Sequence, residues 1–246
     1  DLDGVNTNGD QVELSVKKMD SLSNAGGGFW QYRRPITINN SLGDELVDYQ
    51  IELDSEKDLV GHWNFDETSG TTALDSSGNG NNGTLYNGTI HDIDGKFNKG
   101  LGFDGANDYV NVSNSSVLNP ENQMSLGVWF KPTRGSIASR KPLALKSFTS
   151  HTSPFYQYGL FVQDNESSIR TTDFTITIDG SVKTAKFNNA PIDYDSWNHL
   201  FGVYDGSEVR VYLNGQLGDV TVPVTGSISS YNTVLQLGAY ANLSKT

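Results

Sequence analysis

The chain has 246 residues, no cysteine, 26 glycines, and 17 basic against 29 acidic residues, for a net charge of −12. That balance argues against nucleic acid and anionic membranes as partners, which require a basic footprint, and the missing cysteines exclude disulfides and thiolate chemistry. Apolar residues at 35% suffice for a core, and no stretch approaches the roughly 20 apolar residues of a membrane span. No leader precedes Asp1, which leaves a mature product, a fragment or a cytosolic chain open.

Residues 1–28 read as a polar arm that ends in Asn24-Ala25-Gly26-Gly27-Gly28 and holds one strand at 11–16. Residues 29–58 hold a short strand pair, at 34–39 and 48–53. Residues 59–246 form one continuous run of strands and turns. Within it MSLGVWF (124–130), FTITID (174–179), HLFGVYD (199–205) and EVRVYLN (208–214) alternate with period two, the mark of half-buried strands. Asp179-Gly180, Asp205-Gly206 and Asn214-Gly215 punctuate them as hairpin turns. No helical stripe longer than two turns is present. The expected fold class is all-β, an antiparallel two-sheet jelly-roll sandwich.

Three blocks in order carry a family resemblance: LVGHWNFDETSGTTALDSSGNGNNGTL (59–85), KGLGFDGANDYVNV (99–112) and MSLGVWFKP (124–132). Together with SWNHLFGVYDGSEVRVYLNGQL (196–217), they resemble the laminin-G-like, concanavalin A-like jelly-roll family. Upstream, FWQYRRPITINN and DYQIEL (29–53) resemble the start of a prokaryotic surface-protein domain of unknown function. The family pattern closes with a further strand, which this chain lacks after LQLGAYANLSKT. The resemblance implies that this strand was trimmed, is replaced by residues 11–16 or 34–39, or is supplied by another chain. An open slot of that kind would allow self-association.

Glu52, Asp54 and Glu56 match the E-x-D-x-E strand of related β-glucanases, but Ser55 and the following Lys57-Asp58 read as a strand end entering a loop. His62, His91, His151 and His199 lack metal-ligand spacing. A calcium ion wants six to eight oxygens held in a turn. Asp75, Asn79 and Asn82 offer such oxygens in a glycine-rich stretch, and the family pattern adds Asp104 and Asp108. A second, weaker calcium-like composition spans residues 1–10.

By their family positions, Trp63, Trp129 and Trp197 are expected in the core. Tyr156, Tyr158, Tyr194 and Tyr231 are then the candidates for stacking against a sugar. Asn39, Asn82, Asn87, Asn111, Asn114, Asn165 and Asn242 each begin an N-x-S/T acceptor, pointing to an exported glycoprotein. Without cysteines, a prokaryotic and specifically archaeal cell surface fits better than a eukaryotic secreted domain.

The expected function is a non-enzymatic extracellular module, supported by structural calcium, that recognises carbohydrate or adheres to a cell-surface protein. The alternative is a subunit of a surface filament or envelope layer, completed by a neighbour's strand.

Overall fold

The computed structural model describes residues 12–14, 36–38, 59–147, 153–164 and 170–238. The strands are β1 Val12–Leu14, β2 Ile36–Ile38, β3 Thr72–Ala73, β4 Gly83–Tyr86, β5 Ile90–Asp94 and β6 Lys99–Gly102. There follow β7 Tyr109–Val112, β8 Met124–Phe130, β9 Lys141–Ser147, β10 Tyr156–Asp164, β11 Arg170–Ile178 and β12 Ser181–Asn188. The last are β13 Asn198–Tyr204, β14 Glu208–Leu213, β15 Gln216–Leu217, β16 Val222–Pro223 and β17 Leu235–Leu237.

Contacts divide the chain into two units, Asp1–Ser55 and Glu56–Thr246. In the first, β1 and β2 pair antiparallel with each other, Val12 opposite Ile38. Both segments offered for the family's closing slot, 11–16 and 34–39, therefore contain strands that pair with one another. The strand expected at 48–53 and the carboxylates Glu52, Asp54 and Glu56 lie outside the described residues.

In the second unit, an eight-stranded sheet ordered β12-β11-β10-β9-β17-β7-β4-β3 faces a five-stranded sheet ordered β15-β14-β13-β8, with β16 also on β14. β10, β11 and β12 of the large sheet contact β13 or β14 of the small one. All these pairings are antiparallel, and the result is a jelly-roll sandwich. β17 sits between β9 and β7, so the LQL stretch near the chain's end is an interior strand of the large sheet. Among the described residues, β8 pairs only with β13 and stands at the edge of the small sheet.

Strand period two explains the core. Leu200, Gly202 and Tyr204 of β13 and Val209, Val211 and Leu213 of β14 point inward, toward Phe174, Ile176 and Ile178 of β11 and Tyr158, Leu160 and Val162 of β10. At Asp179-Gly180 and Asn214-Gly215 both residues have positive φ, as a tight hairpin between right-twisted strands requires. The turn at Asp205-Gly206 is built differently. Only Gly206 has positive φ there, and the Asp205 carboxylate accepts the backbone N–H groups of Ser207 and Glu208.

Candidate functional site: an aromatic ledge on the small sheet

The alternation that buries Met124, Leu126 and Val128 turns Ser125, Gly127 and Trp129 to the outer face of the small sheet. Trp129 is 39% exposed there, which corrects the expectation that it packs the core. The same alternation in β13 turns His199, Phe201 and Val203 outward. Register places His199 directly opposite Trp129 and Phe201 opposite Gly127.

The rings consequently meet. The Trp129 and His199 centroids are 4.7 Å apart, and those of His199 and Phe201 are 5.8 Å apart. Gly127 keeps this floor low, because a Cβ there would come within 2.7 Å of the Phe201 ring.

A hairpin from earlier in the chain completes the ledge. Among the described residues β5 and β6 pair only with each other, and Gly95 donates its N–H to the Asn98 carbonyl across the turn. Gly95 has to be glycine, since a Cβ would lie 2.1 Å from the Lys99 carbonyl oxygen. Asp66 accepts the Lys99 N–H at 3.1 Å and ties the hairpin to the strand-poor segment before β3.

At the turn, Phe97 meets the Trp129 ring edge-on at 6.0 Å, and Lys96 Nζ lies 4.8 Å from the centre of the indole. Phe97 is 68% exposed. Burial lowers the His199 pKa, so its imidazole is neutral at pH 7. The ledge thus combines two exposed aromatic rings, a neutral imidazole and one ammonium group. It can stack on a flat apolar face and offer a hydrogen bond or a charge beside it.

Trp63 and Trp197, the other two tryptophans expected in the core, are half-buried, and Trp63 packs against both core clusters while its indole N–H donates to the Asn81 carbonyl. The four tyrosines expected to bind ligand do not form one surface. Tyr158 is a core residue at 3% exposure, its hydroxyl donates to the Leu118 carbonyl, and burial pushes its pKa up. Tyr194 packs on the core edge with the Arg134 guanidinium 4.7 Å over its ring. Tyr156 lies beside Phe161 and Arg140, and Tyr231 donates its backbone N–H to Gln157. A second aromatic pair, the exposed Tyr86 stacked on the half-buried Tyr109 at 4.8 Å, lies on β4 and β7 and has no counterpart among the residues expected to bind ligand.

The five expected calcium ligands are likewise not brought together. Register sets Gly83 opposite Val112 and Tyr86 opposite Tyr109. Asp75 and Asn82 therefore belong to one end of β4, Asp104 and Asp108 to the other, about 10 Å apart at the rise of a strand.

Asp75 closes its turn by accepting the N–H groups of His62, Ser77 and Asn81. Burial alone would raise its pKa, but those hydrogen bonds outweigh it and hold the carboxyl below its usual range. Asn82 Oδ1 accepts the Asp75 N–H, and Asn79 donates to the Leu59 carbonyl and to Ser77. Asp104 accepts the Ala106 and Asn107 N–H groups, which lower its pKa. Asp108 Oδ2 accepts the Asp104 N–H, while its buried Oδ1 has no hydrogen-bond partner. Among the described residues, no group of three or more histidines and carboxylates is placed to hold a metal.

Of the glycosylation acceptors, Asn82, Asn87 and Asn114 are exposed and Asn111 is half-buried within β7. Asn87 and Asn114 already donate from Nδ2, to the Asn107 carbonyl and to Asn232. Asn39, Asn165 and Asn242 lie outside the described residues.

The laminin-G family model, described as the concanavalin A-like lectin/glucanases superfamily, matches residues 104–245, more than half of the chain. The chain belongs to this family.

Solved structures resemble this fold at low sequence identity. Domain 4 of AbnA, a GH43 extracellular arabinanase from Geobacillus stearothermophilus solved with arabinotriose, is 20% identical, with a TM-score of 0.52. That match covers 73% of this chain and 82% of the other. The binding domain of Paraclostridial Mosquitocidal Protein 1 is 14% identical over 74% of this chain and 44% of its own, with a TM-score of 0.52. The receptor-binding domain of botulinum neurotoxin mosaic serotype C/D is 14% identical over 70% and 41%, with a TM-score of 0.51. The superfamily domain thus spans less than half of either toxin chain, and at these identities the likeness is one of fold. No curated protein matches the sequence.

Proposed function

We propose that this superfamily domain is a non-catalytic, extracellular carbohydrate-recognition module whose sugar-stacking surface is the ledge built on Trp129. The observation that carries the reading is an indole 39% exposed on the outer face of the small sheet, flanked by the more exposed Phe97. Sugar rings present C–H faces that stack on such aromatics, with hydroxyl groups left for the surrounding polar atoms. The arabinotriose bound by the arabinanase domain and the receptor-binding role named for the neurotoxin domain support the reading by analogy of fold. The N-x-S/T acceptors support display outside the cell. A shallow ledge binds weakly and gains strength by repetition on a surface.

Trp129→Ala tests the reading. Binding to oligosaccharides recognised by the wild type on a glycan array should weaken at least about tenfold by calorimetry, or about 1.4 kcal/mol. The melting temperature should stay within about 2 °C, because an outward side chain contributes little to the core. An array that returns no oligosaccharide, or undiminished binding by the variant, overturns the reading.

A structural calcium ion joins this proposal at the turn from Asp104 to Asp108. The buried, unpartnered Asp108 Oδ1 is the oxygen that a hard cation would satisfy. Asp108 and Asp104 would hold the ion together with backbone carbonyls and water. The Asp75 turn fits the ion less well, its carboxylate being occupied by three N–H donors. Calcium at about 100 times its dissociation constant should stabilise the fold by roughly 2.7 kcal/mol relative to chelator. Identical melting in calcium and in EGTA would remove the ion from the proposal.

A further inference from the structure

Among the described residues, three arginines are spent on the chain's own carboxylates. Arg140 pairs with Asp173, Arg170 with Asp164, and Arg210 with Asp205 and Glu208. Lys96 differs. Its ammonium lies 4.8 Å from the centre of the Trp129 ring and forms no ion pair among the described residues, although acidic residues outnumber basic ones 29 to 17. Lys131, exposed two positions after Trp129, likewise forms no ion pair among the described residues. Asp66, which ties down the same hairpin, accepts the Lys99 N–H.

From this placement we infer that the ligand of the ledge is an acidic sugar, a uronic acid unit that packs in the corner between Phe97 and Trp129 while its carboxylate binds Lys96. The inference rests on the carbohydrate reading above and adds the chemical class of the sugar.

The physical case is one of complementarity. An ammonium held against an indole face keeps part of its hydration and lacks a counter-charge, so a ligand carboxylate gains a charge-assisted hydrogen bond without displacing an internal partner. A neutral sugar on the same ring gains only the stacking. The net charge of −12 repels extended polyanions at long range, so the fit is to a short run of uronate. Phe97 and Lys96 occupy adjacent positions in one hairpin turn, which sets the stacking face and the ammonium side by side.

The test uses three acidic tetrasaccharides, bearing galacturonate, glucuronate and mannuronate, each beside its carboxyl-reduced neutral form. Affinities for the whole chain are measured by calorimetry. At least one acidic member should bind tenfold or more tighter than its reduced partner. Lys96→Gln should bring that ratio to within twofold, Lys96→Arg should retain it, and neither should change the melting temperature. Reduced forms that bind as well as the acids, or a preference that survives Lys96→Gln, overturn the acidic-sugar inference while leaving the ledge as a sugar site. Trp129→Ala that binds every tetrasaccharide as the wild type does, or a wild type that binds neither these six nor any neutral glycan, overturns the carbohydrate reading itself.

Discussion

Gly202→Ala lowers the unfolding free energy by about 1–3 kcal/mol, the usual cost of overpacking a filled core. Gly202 lies mid-strand in β13 with its Cα turned inward, and an added Cβ would come within 2.3, 2.5 and 2.8 Å of Phe174 Cγ, Cδ2 and Cβ. Cβ is fixed to the backbone, and Cγ and the ring could move only by a change of χ1 into an already filled core. β11 cannot slide aside either, being paired along its length with β10 and β12. Phe174 itself is fully buried.

Urea denaturation should show the midpoint falling with the m-value unchanged. Phe174→Leu made in the Gly202→Ala background should recover part of the loss, a non-additivity expected of residues in contact. Wild-type stability for Gly202→Ala would show that the two strands do not approach as closely as described.

Lys146→Met abolishes a rise in stability that the wild type shows at alkaline pH. Lys146 in β9 stands opposite Tyr158 and Leu235, both core residues, and is itself fully buried. Its ammonium reaches Asn114 Oδ1 and the Thr233 carbonyl, both at 2.5 Å. Burial lowers its pKa to about 8, whereas an unfolded lysine titrates near 10.4. Below pH 8 both states are protonated and the folded state bears the desolvation of the charge. Between about pH 8 and 10.4 the folded state has released its proton and the unfolded state still holds it, so stability increases with pH.

Chemical denaturation at pH 7, 8, 9 and 10 should show this slope in the wild type and a difference curve against Lys146→Met that isolates it from other groups. At pH 7 the variant should be at least as stable, since Met conserves volume and removes a buried charge. The Thr233 carbonyl does lose its donor, while Asn114 Oδ1 keeps the hydrogen bond from Asn119. Parallel curves for the two proteins between pH 8 and 10 would count against a buried, depressed lysine.

Much of the sandwich was legible in the residues. The bounds of β8 coincide with the alternating run at 124–130, those of β13 are shifted from the expected run by one residue, and β14 ends one residue earlier than expected. The glycine-bearing turns fell where Asp-Gly and Asn-Gly stood. The exposure of Trp129 was legible as well. It is out of phase with Met124, Leu126 and Val128, and the family position of the residue had outweighed that phase. Tyr158 shows the opposite failure, because a tyrosine near a loop gives no local sign that its hydroxyl will meet the Leu118 carbonyl inside the core.

The candidate calcium residues divide into two groups for a different reason. Asp75, Asn82, Asp104 and Asp108 are all turn oxygens, but which of them converge depends on the β4–β7 register, and that register sends the two groups to opposite ends of a strand.

The sequence by itself determined the all-β class, the strand phases and the tight turns, because each follows from a period of two or from a backbone conformation confined to a few neighbouring residues. Only the tertiary structure decided that a hairpin from residues 90–102 lays Lys96 and Phe97 over Trp129, that His199 stands opposite that indole, and that Lys146 is enclosed. Those placements depend on register and on packing between distant segments. Local propensity carries no record of which face a remote segment will cover.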